Sequence, residues 1–495
     1  MTDTLSTTEI KKRSIKGAKW LIVMNGFGMP AAFLIALMLG RVGPEALGIY
    51  ALAQILIGVI TTFVVYGGPP VLSVFMPKIT NAEDRGRFVF SYLMILIMAM
   101  AAVLSLFWLF PKAFEFLLQR KFDMRNYGWF VLLSLVIVAT ETFANAASGL
   151  MLIKVTAIAR QMMRTVLLPL VAFLFFFKRE ILIDYGMSCI LGGFLVGYLA
   201  AAVISIVGII REPRFKMRPG WLLPPGFWAF SIATMGTTVF SFLYTNFDRM
   251  AVLSIQDIVG LGVYQAVLSV VALLERIPTL LLSSIIPTFS HLQAKEDQTT
   301  FQRSFDFLCR WSVFQVSFPA MVIIAFSPQV LGAFGATYVK YDYLLGLFCF
   351  VCIIRSMGLP SLVILTCKEK NAFRFNSLLI WTLLQIMMTL LLISRFGVLA
   401  IAGSKMLFSS LSSLTATFYV FYVLRLSPRL PLAYFVAIVV GVILTFLRVW
   451  VLPPEWWASV MLASLSVAAF LIIGGFRRKD ILLIVRYMQT KGNRR

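Results

Sequence analysis

The stretch Met187–Ile210 reads MSCILGGFLVGYLAAAVISIVGII, with no Asp, Glu, Lys or Arg anywhere in it. A helix rises about 1.5 Å per residue, and about 20 apolar residues cross the ~30 Å hydrocarbon core of a bilayer. A helix on the surface of a soluble domain keeps a polar face, and this stretch has none. Working outward in both directions, similar runs recur almost end to end. They are predicted at 17–40, 46–68, 87–110, 127–153, 157–177, 187–210 and 226–253, then at 259–284, 306–327, 342–367, 374–394, 397–424, 431–452 and 456–476. Arg160 and Arg164 at the start of 157–177 make that run the least regular. The expected fold class is an all-α membrane protein with about 14 transmembrane helices.

Composition agrees. Hydrophobic residues make up 60% of the chain, charged residues 13%, and mean hydropathy is +0.91. The net charge of +23 does not point to nucleic acid. Lys and Arg sit in small groups between apolar runs, which is how helices are oriented in a membrane, and no basic, aromatic-interleaved soluble domain is present. The only His, His291, and the five Cys supply no zinc-ligand spacing; Cys349 and Cys352 form a C-x-x-C without a second pair. No phosphate-binding loop for a nucleotide is present.

Charge bias gives the orientation. With the N-terminus inside, the inside connectors hold Lys78, Arg85 and Arg87, then Arg211, Arg214, Lys216 and Arg218, then Lys368, Lys370 and Arg374. Both termini are therefore expected in the cytoplasm. The first helix is expected to be retained, because no small-residue cleavage site follows it. The expected organisation is a basic N-terminus at 1–18, a six-helix bundle at 19–210 and a cytoplasmic linker at 211–225. A second bundle at 226–424, two further helices within 425–476 and a basic tail at 477–495 complete it. In the tail, Ile481–Met488 is expected to lie on the membrane surface. The longest outside connector, Pro111–Asn126, is too short for the loops that hold sugars in membrane glycosyltransferases and polymerases.

A short repeat marks the two halves. Ala46-Leu47-Gly48-Ile49-Tyr50 matches Gly260-Leu261-Gly262-Val263-Tyr264, and each copy opens an even-numbered helix. A Pro follows near the far end of each helix, at Met76-Pro77 and Ile286-Pro287. Repeats of this kind build the two rocking halves of many transporters.

Lys19-Trp20 followed by Leu39-Gly40-Arg41-Val42-Gly43-Pro44-Glu45-Ala46-Leu47-Gly48-Ile49-Tyr50 resembles the opening of the polysaccharide transporter family. That family includes the O-antigen flippases of the multidrug/oligosaccharidyl-lipid/polysaccharide superfamily. Phe247-Asp248-Arg249, Phe334-Gly335-Ala336-Thr337-Tyr338 and Arg395-Phe396-Gly397-Val398-Leu399-Ala400-Ile401-Ala402-Gly403 continue the likeness to about residue 425. The resemblance implies two pseudo-symmetric six-helix bundles around a central cavity, plus two C-terminal helices. It also implies movement of a polyprenyl-diphosphate-linked oligosaccharide across a bacterial inner membrane for O-antigen, lipopolysaccharide or exopolysaccharide synthesis. A polysaccharide polymerase and chain-length machinery are the implied partners beside membrane lipids, no cofactor is implied, and a proton or sodium gradient is the implied energy source. An ion-coupled multidrug extruder of the same superfamily, and a membrane glycosyltransferase or polymerase, stay open as alternatives. The matched motifs read as turns and packing positions and transfer no substrate-binding residue.

The site is therefore read from physics. A charge at mid-bilayer costs about 2.5–3.5 kcal/mol on insertion scales and faces a cavity or a partner. Arg355 and Lys405, with Ser409 and Ser412 following on one face, are the candidate partners of a diphosphate, joined by Arg276. Glu141 shares a helical face with Ser134, Asn145 and Ser148 and is the candidate ion-coupling carboxylate, with Arg355 or Lys405 as its expected cation. Glu275, beside Arg276 and near Gln265 and Ser269, forms a gate or a structural pair. Ser231, Thr234, Thr238, Ser241, Thr245 and Asp248 form one stripe, which lines a wet cavity or packs on another helix. Arg249 beside it caps or snorkels. Pro30, Pro169 and Pro360 are expected to bend their helices.

Overall fold

The computed structural model describes residues 7–64, 70–109, 127–294, 298–368, 370–426, 432–448 and 455–473. The connector Pro111–Asn126 and the tail segment Ile481–Met488 lie outside them. Among the described residues the fold is all-helical, with no strand. The principal helices are α1 (Thr7–Val42), α2 (Pro44–Val59), α3 (Ala82–Leu109), α4 (Tyr127–Gly149), α5 (Ile153–Phe177) and α6 (Gly186–Ile210). They continue with α7 (Phe227–Ala294), α8 (Gln298–Ala325), α9 (Asp342–Arg355) and α10 (Gly358–Cys367). The last four are α11 (Asn371–Phe396), α12 (Val398–Phe418), α13 (Leu432–Phe446) and α14 (Trp456–Ile473). With no water in the bilayer core, each backbone N–H and C=O must be satisfied within its own segment, and a helix does this.

Among the described residues a helix falls in every predicted apolar run, but the expected number of crossings is not established. Nine helices among the described residues are long and apolar enough to span a membrane, or ten if the bent pair α9 and α10 is one span. Gly26–Val42, Tyr434–Phe446 and Trp456–Ala468 are apolar and shorter. The runs predicted at 226–253 and 259–284 merge into α7, which breaks only at Asp257. There φ is +66°, and the Asp257 carboxylate accepts the Val259 N–H at 2.8 Å, so the side chain caps the restarting helix.

The three prolines behave differently. Pro30 and Pro169 sit inside the unbroken helices α1 and α5. Pro360 lies in the first turn of α10, just beyond a bend of 43° between α9 and α10. A proline ring clashes with the carbonyl four residues earlier, here Ser356, so the break falls upstream of the proline itself.

Two compact units make up the chain, 1–269 with 382–402, and 270–381 with 403–495. In the first, α1 packs along α5, and α4, α5 and α6 pack on one another. Gly197 brings α6 onto α5 so closely that an added Cβ would lie 2.7 Å from the Met163 Cα. Small residues at such crossings let membrane helices gain dispersion contacts that bulky side chains would block. In the second unit, α8 packs against α9, α13 and α14.

The repeat copies meet each other inside the first unit. A Cβ on Gly48 would run into the Ile258 carbonyl oxygen, and one on Gly262 into that of Pro44. Tyr50 stacks on Phe194 with ring centroids 5.9 Å apart, while Tyr264 is buried and donates to Asp248.

Candidate functional site

The first unit holds a carboxylate cluster between α4 and α5. Asn145 is buried, and its Nδ2 donates to the Glu141 carbonyl at 2.6 Å and to Glu141 Oε2 at 3.1 Å. On its other side Asn145 Oδ1 accepts from Arg160 Nη2 at 3.2 Å. Glu141 and Arg160 also interact electrostatically, and the Tyr92 and Tyr198 hydroxyls lie within range of the same carboxylate. One turn along α5, Arg164 Nη1 donates to Gln161 Oε1 at 2.9 Å. Of the predicted stripe, Ser134 and Asn145 are buried while Glu141 and Ser148 are half-buried. The cation at Glu141 is thus Arg160, where sequence reading had looked to Arg355 or Lys405. Arg160 and Arg164 were missed as site residues. Their signal was present, two cations four apart in an apolar run, and it was read as a weakness of the span.

Asp248 occupies a different setting. It is buried and accepts from Tyr264 Oη at 2.8 Å, so it joins the two parts of α7 on either side of Asp257. Arg249 is half-buried and donates to Asn246 Oδ1 at 3.3 Å. Along the stripe, Thr234, Thr238 and Thr245 return their hydroxyls to carbonyls four residues back, at 2.7–2.9 Å. Ser231 is buried at one end, and Ser241 and Thr245 are exposed in the middle.

The second unit holds another of the candidate carboxylates. Glu275, on the later part of α7, forms an ion pair with Arg355, and its sequence neighbour Arg276 is exposed. Arg355 ends α9, so its charge stands beside the carbonyls of a helix terminus. Two of the carbonyls at the break are caught by side chains. Ser413 Oγ donates to the Arg355 carbonyl at 3.2 Å, and Tyr434 Oη donates to that of Ile354 at 2.8 Å. Cys352 Sγ lies 3.8 Å from Glu275 Oε1. Lys405 is half-buried on α12, with Ser409 buried one turn on, while in the first unit Gln265 pairs with Ser269 at 3.3 Å. The Glu275–Arg355 pair is part-exposed: the Arg355 side chain is 29% exposed and that of Glu275 37%.

Long apolar helices, one of them broken beside an ion pair, define a multi-pass helical membrane protein. The chain belongs to the polysaccharide biosynthesis protein family, whose model matches residues 14–293. The polysaccharide-transporter resemblance is borne out by that match. Among solved structures, the chain is similar to an inward closed conformation of the lipid II flippase MurJ. Identity there is 14% and the TM-score 0.64, over 93% of this chain and 99% of that one. It is also similar to an inward-facing multidrug resistance MATE family transporter of the MOP superfamily, at 9% identity and a TM-score of 0.63, over 82% of this chain and 98% of that one. At these identities the likeness is one of fold. No curated protein sequence matched.

Proposed function

We propose that the protein is a flippase that carries a polyprenyl-diphosphate-linked oligosaccharide from the cytoplasmic to the outer leaflet of a bacterial inner membrane. Both termini face the cytoplasm, and the product feeds O-antigen, lipopolysaccharide or exopolysaccharide assembly with a polymerase and chain-length machinery. The observation that carries this reading is the fold likeness to a lipid II flippase over 93% of the chain, joined to membership of a polysaccharide biosynthesis family. Arg355, Lys405 and Arg276 are the cations assigned to the diphosphate. Glu141, with Asn145, is assigned to coupling with a proton or sodium gradient. Glu275 holds Arg355 until the anion arrives, and Asp248 keeps the two parts of α7 together. Export of a negative head group is favoured by about 2.3 kcal/mol per charge per 100 mV when the inside is negative.

The near-equal likeness to a MATE transporter keeps a second reading, ion-coupled extrusion of drugs. It accounts for less of the chain, 82% against 93%. Proteoliposomes separate the two. Uptake of a fluorescent polyprenyl-diphosphate sugar into the far leaflet, with no counterflow of organic cations, supports the flippase; the reverse result supports extrusion. Reporter fusions after Met217 and Lys370 should read inside and those after Arg179 outside, and the opposite pattern would overturn the orientation.

A further inference from the structure

A cavity of about 350 Å³ lies at the end of α12 in the second unit, against the start of α11. It is lined by Phe373, Thr415, Phe418, Tyr419, Tyr422 and Val423. The volume is within the range of small-molecule sites, about 300–1,000 Å³. Its wall is shaped by a change of helix type. From Tyr419 to Val423 the chain winds as a π-helix, which turns more slowly than an α-helix and re-aims successive side chains. Tyr419 thereby stacks on Phe373 with ring centroids 3.8 Å apart, and Phe418 stacks on Tyr422 at 5.2 Å. Phe418 is 60% exposed and Tyr422 73%, so the cavity opens at the protein surface rather than into a core. The depression is shallow and wide open on its outer side.

Charge says what kind of molecule fits. Arg374 and Arg425 are exposed, near Phe373 and Val423 in the sequence, and Arg374 Nη1 donates to Thr366 Oγ1 at 2.9 Å. Lys368 and Lys370 precede Arg374 in the sequence, with the Lys368 Nζ 5.6 Å from the Phe301 ring centre. Across 366–378 the one carboxylate in the sequence is Glu369, and 411–426 has none. An apolar slot beside such a basic rim suits an amphiphile with a long chain and a negative head. Surface cations attract anionic lipid in the same way.

We propose that this cavity is a lipid site, holding an acyl chain of an anionic phospholipid whose head group meets Arg374 and Arg425. It is separate from the ion pair at Glu275 and Arg355 and does not depend on the cargo the protein carries. The slot supplies the apolar contact and the two guanidiniums supply selection for negative head groups.

The test uses the full chain purified in mild detergent, with bound lipid read by native mass spectrometry. Phosphatidylglycerol, phosphatidylcholine and undecaprenyl phosphate are added in turn. Wild type should retain phosphatidylglycerol over phosphatidylcholine. The double substitution Arg374→Gln and Arg425→Gln should weaken that retention about 30-fold, from the loss of two surface cations. Thr415→Trp fills the slot and should abolish it. Tyr422→Ser, at an exposed position that tolerates change, should weaken it without loss of folded protein. Equal retention by wild type, Tyr422→Ser and the double variant would overturn the site, and undecaprenyl phosphate retained in preference to phosphatidylglycerol by wild type but lost in Thr415→Trp would overturn its occupant.

Discussion

In the first unit Glu141 reaches Arg160 through Asn145, between two unbroken helices. In the second, Glu275 meets Arg355 directly, where α9 stops partway along its predicted span. The difference lies in what holds each arginine. Asn145 is buried and tied by a 2.6 Å bond to the carbonyl of the very residue it bridges, so the relay is fixed by helix geometry. Arg355 and Glu275 are each about a third exposed, and such a pair gains little net energy over its solvated parts. Separating Arg160 from Glu141 requires two helices to give up a buried amide, whereas no third side chain stands between Glu275 and Arg355. The first unit holds its charge through a buried relay, and the second through a direct, part-exposed pair.

The largest effect is expected at Arg355. Arg355→Ala removes charge-assisted bonds worth about 1.5–3 kcal/mol, so transport in proteoliposomes should fall roughly ten- to hundredfold with membrane abundance kept. Arg355→Lys should recover part of it, since Lys offers a point charge without the planar fork. The exchange Glu275→Arg with Arg355→Glu sharpens the contrast. A purely structural pair would be restored by it, and transport at the wild-type rate would end the ligand-exchange reading.

Next in size is Glu141→Gln, which preserves shape and removes the charge. It should abolish stimulation of transport by an imposed proton or sodium gradient while substrate binding survives. Gradient-driven rates equal to wild type would place coupling elsewhere. Asn145→Ala acts more gently. It deletes the relay and should lower thermal stability by about 1–3 kcal/mol, read as an earlier melting transition in detergent. An unchanged transition would show that the amide does not fix the arginine. The smallest effect belongs to Lys405→Ala, about 1 kcal/mol or roughly a fivefold loss of transport, because a half-buried Lys on a flexible stem is a weaker partner than Arg. A loss as large as that of Arg355→Ala would make the two cations equal partners.

The apolar runs were legible because mean hydropathy over a span is a local property. Glu141 and Asn145 were legible as a stripe, since a spacing of four places them on one face. Their cation was not. Arg160 reaches Asn145 only because α5 packs on α4 in one register, and spacing within a single helix carries no register between helices. Pro360 named the helix that breaks, while the charge at the break, Arg355, was read instead as a mid-helix residue. The break falls where the ring would strike the Ser356 carbonyl, so its place is set by backbone geometry upstream. Glu275 was read beside Arg276 because they are neighbours in sequence, yet adjacent residues on a helix point about 100° apart and do not face each other.

The reciprocal meeting of the two repeat copies bears on how this chain can vary. Gly48 stands against the Ile258 carbonyl and Gly262 against that of Pro44, so each copy's glycine is confined by backbone belonging to the other. A neighbouring side chain can be trimmed to make room for a new methyl group, but a carbonyl oxygen cannot. Neither half of the repeat is therefore free to drift alone, and a lineage that lost either glycine would have to shift the opposite segment's main chain in the same step.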